Sequence, residues 1–448
     1  MKQQTIFALA TPPGRSGVAV VRVSGPQAWA SFAALRGKRA GQEIAPRQAG
    51  LFKLSHPVSR ETIDQALVIA FAAPASFTGE DVVEYHLHGS PAVVQSMLSA
   101  LQVIAGHRMA EPGEFTRRAF ENGKIDLTAA EAIADLIDAQ TQAQKIQALA
   151  QMEGALSKLY HRWAAELTRA LAHLEADIEF PDEDLPEGVN PQVLESVQAM
   201  IAEIAAHLDD NRRGERLRDG IQVAVIGAPN AGKSSLVNAL AQRDVAIVSN
   251  LPGTTRDVIE VHLEIDGYPV ILADTAGLRP EQLADSGQDA IESEGIRRAL
   301  QRAASADIRI LLFDGTLESP DPHTLGLIDE GALIVVNKSD QTRRLQGLEG
   351  AINVSAETGK GLMELINALS QRVEGLIGRQ ETPSLTRARH RAALEACTES
   401  LRRSCKAPLP ELMAEDIRLA VRDLGRITGR VDVEDLLDVI FRDFCIGK

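Results

Sequence analysis

The chain has 448 residues, too many for one ordinary core, and at roughly 150 residues per domain the length predicts about three domains. Lysine and arginine total 47 against 62 aspartates and glutamates, a formal charge of −15, which excludes a protein that binds nucleic acid through net charge. Any such contact needs a local basic patch or a second protein. The three cysteines, Cys397, Cys405 and Cys445, make neither an even disulfide set nor a metal-ligand spacing and favour a reducing compartment. The opening "MKQQTIFALATPPGRSG" is broken by Pro12 and Pro13 and reads as neither a signal peptide nor a membrane span, so a cytoplasmic, non-membrane protein is expected.

In the first hundred residues "IFALA", "VAVVRVSG", "QALVIAFAAP" and "DVVEYHLHG" are apolar runs bounded by Gly, Pro and Ser, and they predict the strands of a β-rich head. His86 and His88 share a strand face there, but two histidines do not make a metal site. From about Leu127 the texture turns helical, with Thr128 and Glu131 in capping-box spacing. The acidic break "FPDEDLPEG" lacks the spacing of a calcium loop and reads as a solvated turn. After "RRGERLRDG" strand and helix alternate: Ile221 to Ile226, "VIEVHLEI", "YPVILAD", "DIRILLFDG", "ALIVVNKSD" and "AINVSA" are strands, and Asp266-Gly267 marks a hairpin. This predicts a mostly parallel α/β sheet with one antiparallel edge. From about Ser384 the chain is helical again, with Ile417, Val421 and Leu424 on one face and Asp432 and Asp435 in cap-like positions before the last helix. The simplest architecture is a multidomain α+β chain in which an α/β domain is inserted between two portions of a helical domain.

"GAPNAGKSS" fits the phosphate-loop pattern G-x-x-x-x-G-K-[ST] at Gly227, Gly232, Lys233 and Ser234, after a strand and before a helix. Backbone N–H groups curl around phosphates there, Lys233 reaches the outer phosphates and Ser234 binds magnesium. "GTTRD" offers Thr254 or Thr255 to complete the magnesium shell, and "DTAG" at Asp274 to Gly277 suits sensing of the γ-phosphate. "NKSD" gives Asn337, Lys338 and a guanine-accepting Asp340; "SAETGKG" supplies backbone for the guanine oxygen. These motifs in this order predict GTP binding. Contacts are expected from Asn230, Ala231, Gly232, Lys233, Ser234 and Ser235; from Ser249, Asn250, Leu251, Pro252, Gly253, Thr254 and Thr255; from Asp274, Thr275, Ala276 and Gly277; and from Asn337, Lys338, Asp340, Ser355, Ala356 and Glu357. Leu278 follows "DTAG" and cannot orient water, so an acid among Glu281, Glu292 and Glu294 is the candidate, and a monovalent cation caged by Asn230 and "SNLPGTT" could replace an arginine finger.

"PNAGKSS", "GTTRD", "DTAGLR", "NKSD" and a terminal "FCIGK", with "ATPPGRSGVAVVRVSG" and "EPGEFTRRAFENGKIDLTAAEAIADLIDA" before them, resemble the MnmE (TrmE) family of tRNA-modifying GTPases from end to end. The resemblance implies a tetrahydrofolate-binding, dimerising head (1–118), a helical domain in two parts (119–215 and 381–448) and a Ras-like P-loop G domain (216–380). It implies a homodimer working with the FAD protein MnmG (GidA), in a heterotetramer or larger complex, on carbon 5 of the wobble uridine of certain tRNAs. The one-carbon unit comes from 5-formyl- or 5,10-methylene-tetrahydrofolate, and GTP is hydrolysed to GDP by potassium-dependent pairing of G domains. Carried over, potassium falls to Asn230, Ser249, Leu251 and Thr254, magnesium to Ser234 and Thr255, and the water-positioning acid to Glu292, with Glu294 its competitor. Folate falls to Arg22, Glu84, Lys124 and Lys448; without the family, Arg22 and Glu84 read as a cross-strand pair. Cys445 has a chemical role or docks the tail. A lipid anchor at "CIGK" is disfavoured by Gly447 and Lys448. The rival class is a regulatory or ribosome-assembly GTPase of the Era or EngA type, whose RNA-binding appendage should be basic, unlike these flanks.

Overall fold

The computed structural model describes residues 4–36, 44–179, 189–243, 260–274, 306–342, 344–378, 383–431, 434–442, 444 and 446–447. The chain divides into two units, Met1–Ala134 with Arg422–Lys448, and Asp135–Val421.

In the first unit, β1 (Thr5–Leu9), β2 (Ser16–Ser24), β3 (Ala49–Ser55), β4 (Thr62–Phe71), β5 (Val82–Gly89) and β6 (His107–Met109) form one sheet in the order β3-β4-β5-β2-β1-β6. Every neighbouring pair is antiparallel except β1 with β6. The period of two sorts the side chains: Val21 and Val23 of β2 and Val83, Tyr85 and Leu87 of β5 enter the core, while Arg22, Glu84 and His86 alternate to the other face. Helices α1 (Ala28–Arg36) and α2 (Pro91–Gln102) cover the core face with Phe32, Leu35, Met97 and Leu101. These helices, the short α3 (Glu114–Glu121), and strands β3 and β6 add to the strands the sequence announces. α4 (Leu127–Asp138) begins one residue before the expected cap, because Asp126 Oδ1 accepts from Ala129 N at 2.9 Å and Thr128 Oγ1 at 2.8 Å. Asp126 is therefore the N-cap in place of Thr128. Leu127 and Ala130 form a second core with Leu437, Phe441 and Phe444 of the last helix, Glu434–Arg442, and its end.

In the second unit, α5 (Gln142–Met152), α6 (Ala155–Glu179), α7 (Val189–Leu208) and α8 (Arg213–Asp219) precede a sheet of order β12-β11-β10-β7-β9-β8. Its strands are β7 (Ile221–Ile226), β8 (Glu260–Ile265), β9 (Tyr268–Asp274), β10 (Ile308–Asp314), β11 (Ala332–Asn337) and β12 (Ile352–Asn353), parallel except for β8. Asp266 and Gly267 take φ of 50° and 84°, the left-handed pair a two-residue hairpin requires. Helices α9 (Lys233–Ala241), α10 (Pro322–Leu325) and α11 (Leu362–Ile377) accompany the sheet; α12 (Ala388–Ser404) and α13 (Pro410–Thr428) follow it. Buried residues recur every three or four positions on α6 (Leu156, Tyr160, Trp163, Leu167) and α12 (His390, Leu394, Cys397, Leu401). This is the stripe by which helices pack side by side.

The helices on either side of the α/β sheet in sequence touch one another. Arg391 of α12 donates to Asp210 Oδ1 (2.6 Å), Glu215 Oε1 (2.9 Å) and Leu208 O (2.8 Å), all mostly buried. Gln151 Nε2 reaches Thr386 Oγ1 at 2.9 Å. Among the described residues no helix is long and apolar enough to cross a membrane. Arg391→Ala strands two carboxylates and should cost about 3 kcal/mol. Chemical denaturation checks this: a loss of this size is expected against the near-zero effect of removing an exposed partner such as Arg418.

Candidate functional site

β7 runs into a loop that turns back on itself at Asn230 (φ 62°) and Gly232 (φ 93°) and delivers the chain to the N-terminus of α9. Two glycines are required by close approach. A Cβ on Gly227 would stand 2.3 Å from Leu312 O, and one on Gly232 would stand 2.2 Å from Asn337 Nδ2. Lys233 Nζ lies over the loop, donating to Gly227 O at 2.8 Å and Ala228 O at 2.9 Å. Asn230, Ser234 and Ser235 are exposed at its mouth and Ala231 is buried. Main-chain N–H groups at a helix N-terminus, with one ammonium beside them, form an anion cradle.

Asn337, at the end of β11, is the residue that assembles the rest. Its Nδ2 donates to Ala231 O at 2.9 Å and its Oδ1 accepts from Ala356 N at 3.1 Å, so one carboxamide ties the phosphate loop to the loop after β12. Ser355 is buried and its Oγ accepts from Thr358 N at 3.1 Å, which folds that loop back. Lys338 (φ 62°) donates to Asp314 Oδ2 at 2.5 Å, and Thr316 N and Oγ1 bind Asp314 Oδ1. Burial alone would raise the Asp314 carboxyl; the bonds from Lys338 and Thr316 outweigh it and hold the group below its ordinary range. Asp340 and Glu357 are exposed. The structure thus brings Asn230 to Ser235, Asn337, Lys338, Asp340 and Ser355 to Glu357 together at the ends of β7, β11 and β12. Asp314 is a member that motif reading missed; its signal is "FDG", ending the strand paired with Asn337. Asp274 ends β9 beside Val225 of β7, and nothing further is described of its side chain. Ser249 to Thr255, Thr275 to Gly277, Glu281, Glu292 and Glu294 lie outside the described residues.

In the first unit, Arg22 and Glu84 stand opposite each other on β2 and β5, with Arg22 Nε and Nη2 both 2.9 Å from Glu84 Oε1. The Arg22 guanidinium also lies 5.7 Å from the ring centres of Phe77 and Phe115, two residues the motifs did not single out. Phe77 belongs to the loop after β4. Lys124 Nζ donates to Pro74 O of that loop at 3.0 Å, and Asn122 Nδ2 donates to Thr78 O at 2.7 Å. Arg22, Glu84 and Lys124 are thereby gathered around one loop. His86 Nε2 lies 3.6 Å from Glu84 Oε2, while His88 Nδ1 lies 2.9 Å from Asp64 Oδ1. Among the described residues no cluster of three or more His, Cys, Asp or Glu forms a metal-ligand group. The end of the chain docks here as well: Ile446 bridges to Pro112, and a Cβ on Gly447 (φ 102°) would stand 2.1 Å from Leu9 O. Leu9 follows Ala8, which pairs with Arg22. Cys445, Lys448 and the solvated turn at 180–188 lie outside the described residues.

A phosphate cradle, a carboxamide clasp and an exposed carboxylate at the ends of parallel strands define a P-loop GTPase domain, set in a chain with a sheet-and-helix head and packed helices. A model of the MnmE helical domain matches residues 127–445, and one of the GTP-binding protein TrmE N-terminus matches residues 5–124. The chain belongs to the MnmE (TrmE) family. The tRNA modification GTPase MnmE of Parvibaculum lavamentivorans is 55% identical over 451 residues, covering 99% of this chain and 100% of the relative. That of Rhodospirillum rubrum is 52% identical over 461 residues, covering both chains in full, and that of Paramagnetospirillum magneticum is 51% identical over 450 residues, covering 99% and 100%.

Asp340→Asn should exchange an acceptor for a donor at the base. Competition binding is expected to move preference from guanosine to xanthosine nucleotides by about 10-fold or more, the size of one reversed hydrogen bond; an unchanged preference would remove Asp340 from the base site.

Proposed function

We propose that this chain is a potassium-activated GTPase that works on tRNA. With an FAD-dependent partner it installs an aminomethyl-type group on carbon 5 of a wobble uridine, drawing the carbon from a folate. The observation that carries the GTPase part is the Asn337 clasp, which holds a phosphate loop and a base-facing loop in one frame. The names of the relatives, each a tRNA modification GTPase over its full length, support the tRNA part.

In this reading the division is a head at 1–118, helical parts at 119–215 and 381–448, and a G domain at 216–380. Lys233 and the N–H groups of Asn230 to Ser235 hold the outer phosphates, and Asp340 selects guanine. Magnesium fits the Ser234 hydroxyl, exposed at the cradle, with Thr255 as its second protein ligand. Potassium fits Asn230, whose left-handed backbone sets it at the loop's rim, with Ser249, Leu251 and Thr254. When bound, these cations would supply positive charge where negative charge develops on the transferring phosphoryl group. Water, positioned by Glu292 or Glu294, attacks the γ-phosphorus; the bond to the β–γ bridging oxygen breaks, leaving GDP and phosphate.

In the head, Glu84 and Arg22 offer an acceptor and donors of the kind a pterin edge and its carbonyl need. Phe77 and Phe115 flank that guanidinium, and Lys124 with Lys448 suits a carboxylate tail. Cys445 has a chemical role or docks the tail, and the protein works as a homodimer with the flavin protein; the close approach of Gly447 to Leu9 fits a docked tail. GTP hydrolysis in potassium is expected to exceed that in sodium by about 10-fold or more, a transition-state gain of about 1.4 kcal/mol. Equal rates in the two salts would remove the cation from the mechanism.

A further inference from the structure

The hairpin of β8 and β9 lies between two of the sequence motifs. β8 begins at Glu260, just after the segment that carries "GTTRD", and β9 ends at Asp274, the first residue of "DTAG". The two motifs that read the γ-phosphate are therefore joined by one antiparallel ladder of six pairs, from Glu260 opposite Ala273 to Ile265 opposite Tyr268. Such a ladder moves as a piece, because a slip of one residue would turn every side chain to the wrong face and pull Leu263, Ile265, Val270 and Leu272 from the core. At about 3.3 Å per residue, six residues carry a displacement roughly 20 Å from the motif end to the turn.

The turn is held by elements outside the nucleotide site. Gly267 O accepts from Ala143 N, in the first turn of α5, at 3.3 Å, and the Asp266 carboxylate accepts from Ser370 Oγ of α11. Ala143 and Tyr268 both pack against the α/β core. α5 is itself tied back: Gln144 Nε2 donates to Arg218 O at 3.0 Å and Gln147 Nε2 to Gly214 O at 3.1 Å. Asp135 takes Arg218 Nε at 2.9 Å and Arg387 Nη2 at 2.6 Å, which brings in the segment leading to α12. Beside these contacts runs a cleft of about 160 Å³ of mixed lining, with Gln144, Arg218 and His262 beside Leu263, Val270 and Ile271. A joint held at its turn by one main-chain and one side-chain hydrogen bond exchanges partners at small net cost, whereas an interdigitated apolar contact does not.

We propose that the β8–β9 hairpin is the lever that carries nucleotide state to α5, with its turn bearing on Ala143 of α5 and steadied from the α/β side by Ser370 of α11. This rests on the GTPase reading and assigns the regulation of that same site. Ala143 N–H and Ser370 Oγ are positioning groups, remote from the phosphates.

The test is amide hydrogen exchange on the full chain in potassium, comparing GDP with a non-hydrolysable GTP analogue, alongside turnover and tRNA modification with the flavin partner. Exchange over residues 141–147 and 262–270 is expected to differ by about 10-fold between the two nucleotides, within the usual range of coupling. Ala143→Pro deletes an N–H that has no partner within its helix at that position, and Ser370→Ala deletes one half-exposed hydroxyl. Both variants should keep GTP turnover within about twofold, lose the nucleotide-dependent difference in α5 and modify tRNA about 10-fold more slowly. The proposal is overturned by equal exchange in the two nucleotides in a wild-type chain that turns over GTP, or by Ser370→Ala and Ala143→Pro modifying tRNA at the wild-type rate. A wild-type chain with no GTP turnover overturns the functional reading and this proposal with it.

Discussion

The Asn337 carboxamide uses its two ends on two loops, donating to Ala231 O and accepting from Ala356 N, and it is 3% exposed. A buried amide with both ends satisfied is stable; with one end lost it leaves an unpaired main-chain group, at a cost of about 1–3 kcal/mol. The geometry leaves no slack, since Gly232 approaches Asn337 so closely that a methyl group could not fit. β10 and β11 supply the frame, pairing Asp314 with Asn337 in register, and the Lys338 to Asp314 bond locks the strand ends. The phosphate loop and the loop after β12 are in this sense a single object, and Asp340 follows the same strand end.

Charge is divided unevenly between the two units. Met1–Ala134 with Arg422–Lys448 carries 18 basic and 17 acidic residues, whereas Asp135–Val421 carries 29 basic and 45 acidic. The nucleotide-binding unit therefore carries a formal −16 and the other unit +1, which together give the chain's −15. A polyanion meets little net repulsion at the head and much more at the other unit. The head's own charges are arranged internally: Arg118 joins Glu80 and Glu114, and Arg108 grips Glu114 with two bonds of 2.6 and 2.7 Å. Burial would raise the Glu114 carboxyl, but the bonds from Arg108, Glu111 N and Arg118 outweigh it and hold the group below its ordinary range.

Local chemistry was legible in the sequence wherever the signal is local. Ile221–Ile226 and Tyr268–Asp274 are read to the residue because β-branched runs end at Gly and Asp, and Asp266-Gly267 fixes its hairpin by backbone conformation alone. The motifs also named the phosphate loop, Asn337 and Ser355, which the structure brings into mutual hydrogen-bond contact through Asn337 and the loop after β12. What escaped depends on tertiary context. α2 opens with Pro91 after a histidine-containing strand and looks like a turn, and β6 spans only three residues and exists because β1 offers it a parallel edge. The cap of α4 moved from Thr128 to Asp126 because both can bond a free N–H and only the start of the helix decides between them. Contact between the helical portions, through Arg391 and Asp210, joins residues 181 apart in sequence and leaves no local trace.

The most direct measurement of the clasp is nucleotide affinity in Asn337→Ala, titrated with GDP and with a GTP analogue beside far-ultraviolet circular dichroism. Affinity for both nucleotides is expected to fall by about 10- to 100-fold, matching the loss of one or two buried hydrogen bonds, with helix content unchanged. Affinity within about twofold of the wild-type chain, at unchanged helix content, would contradict the role given to Asn337, since the two loops would then be held together by other contacts.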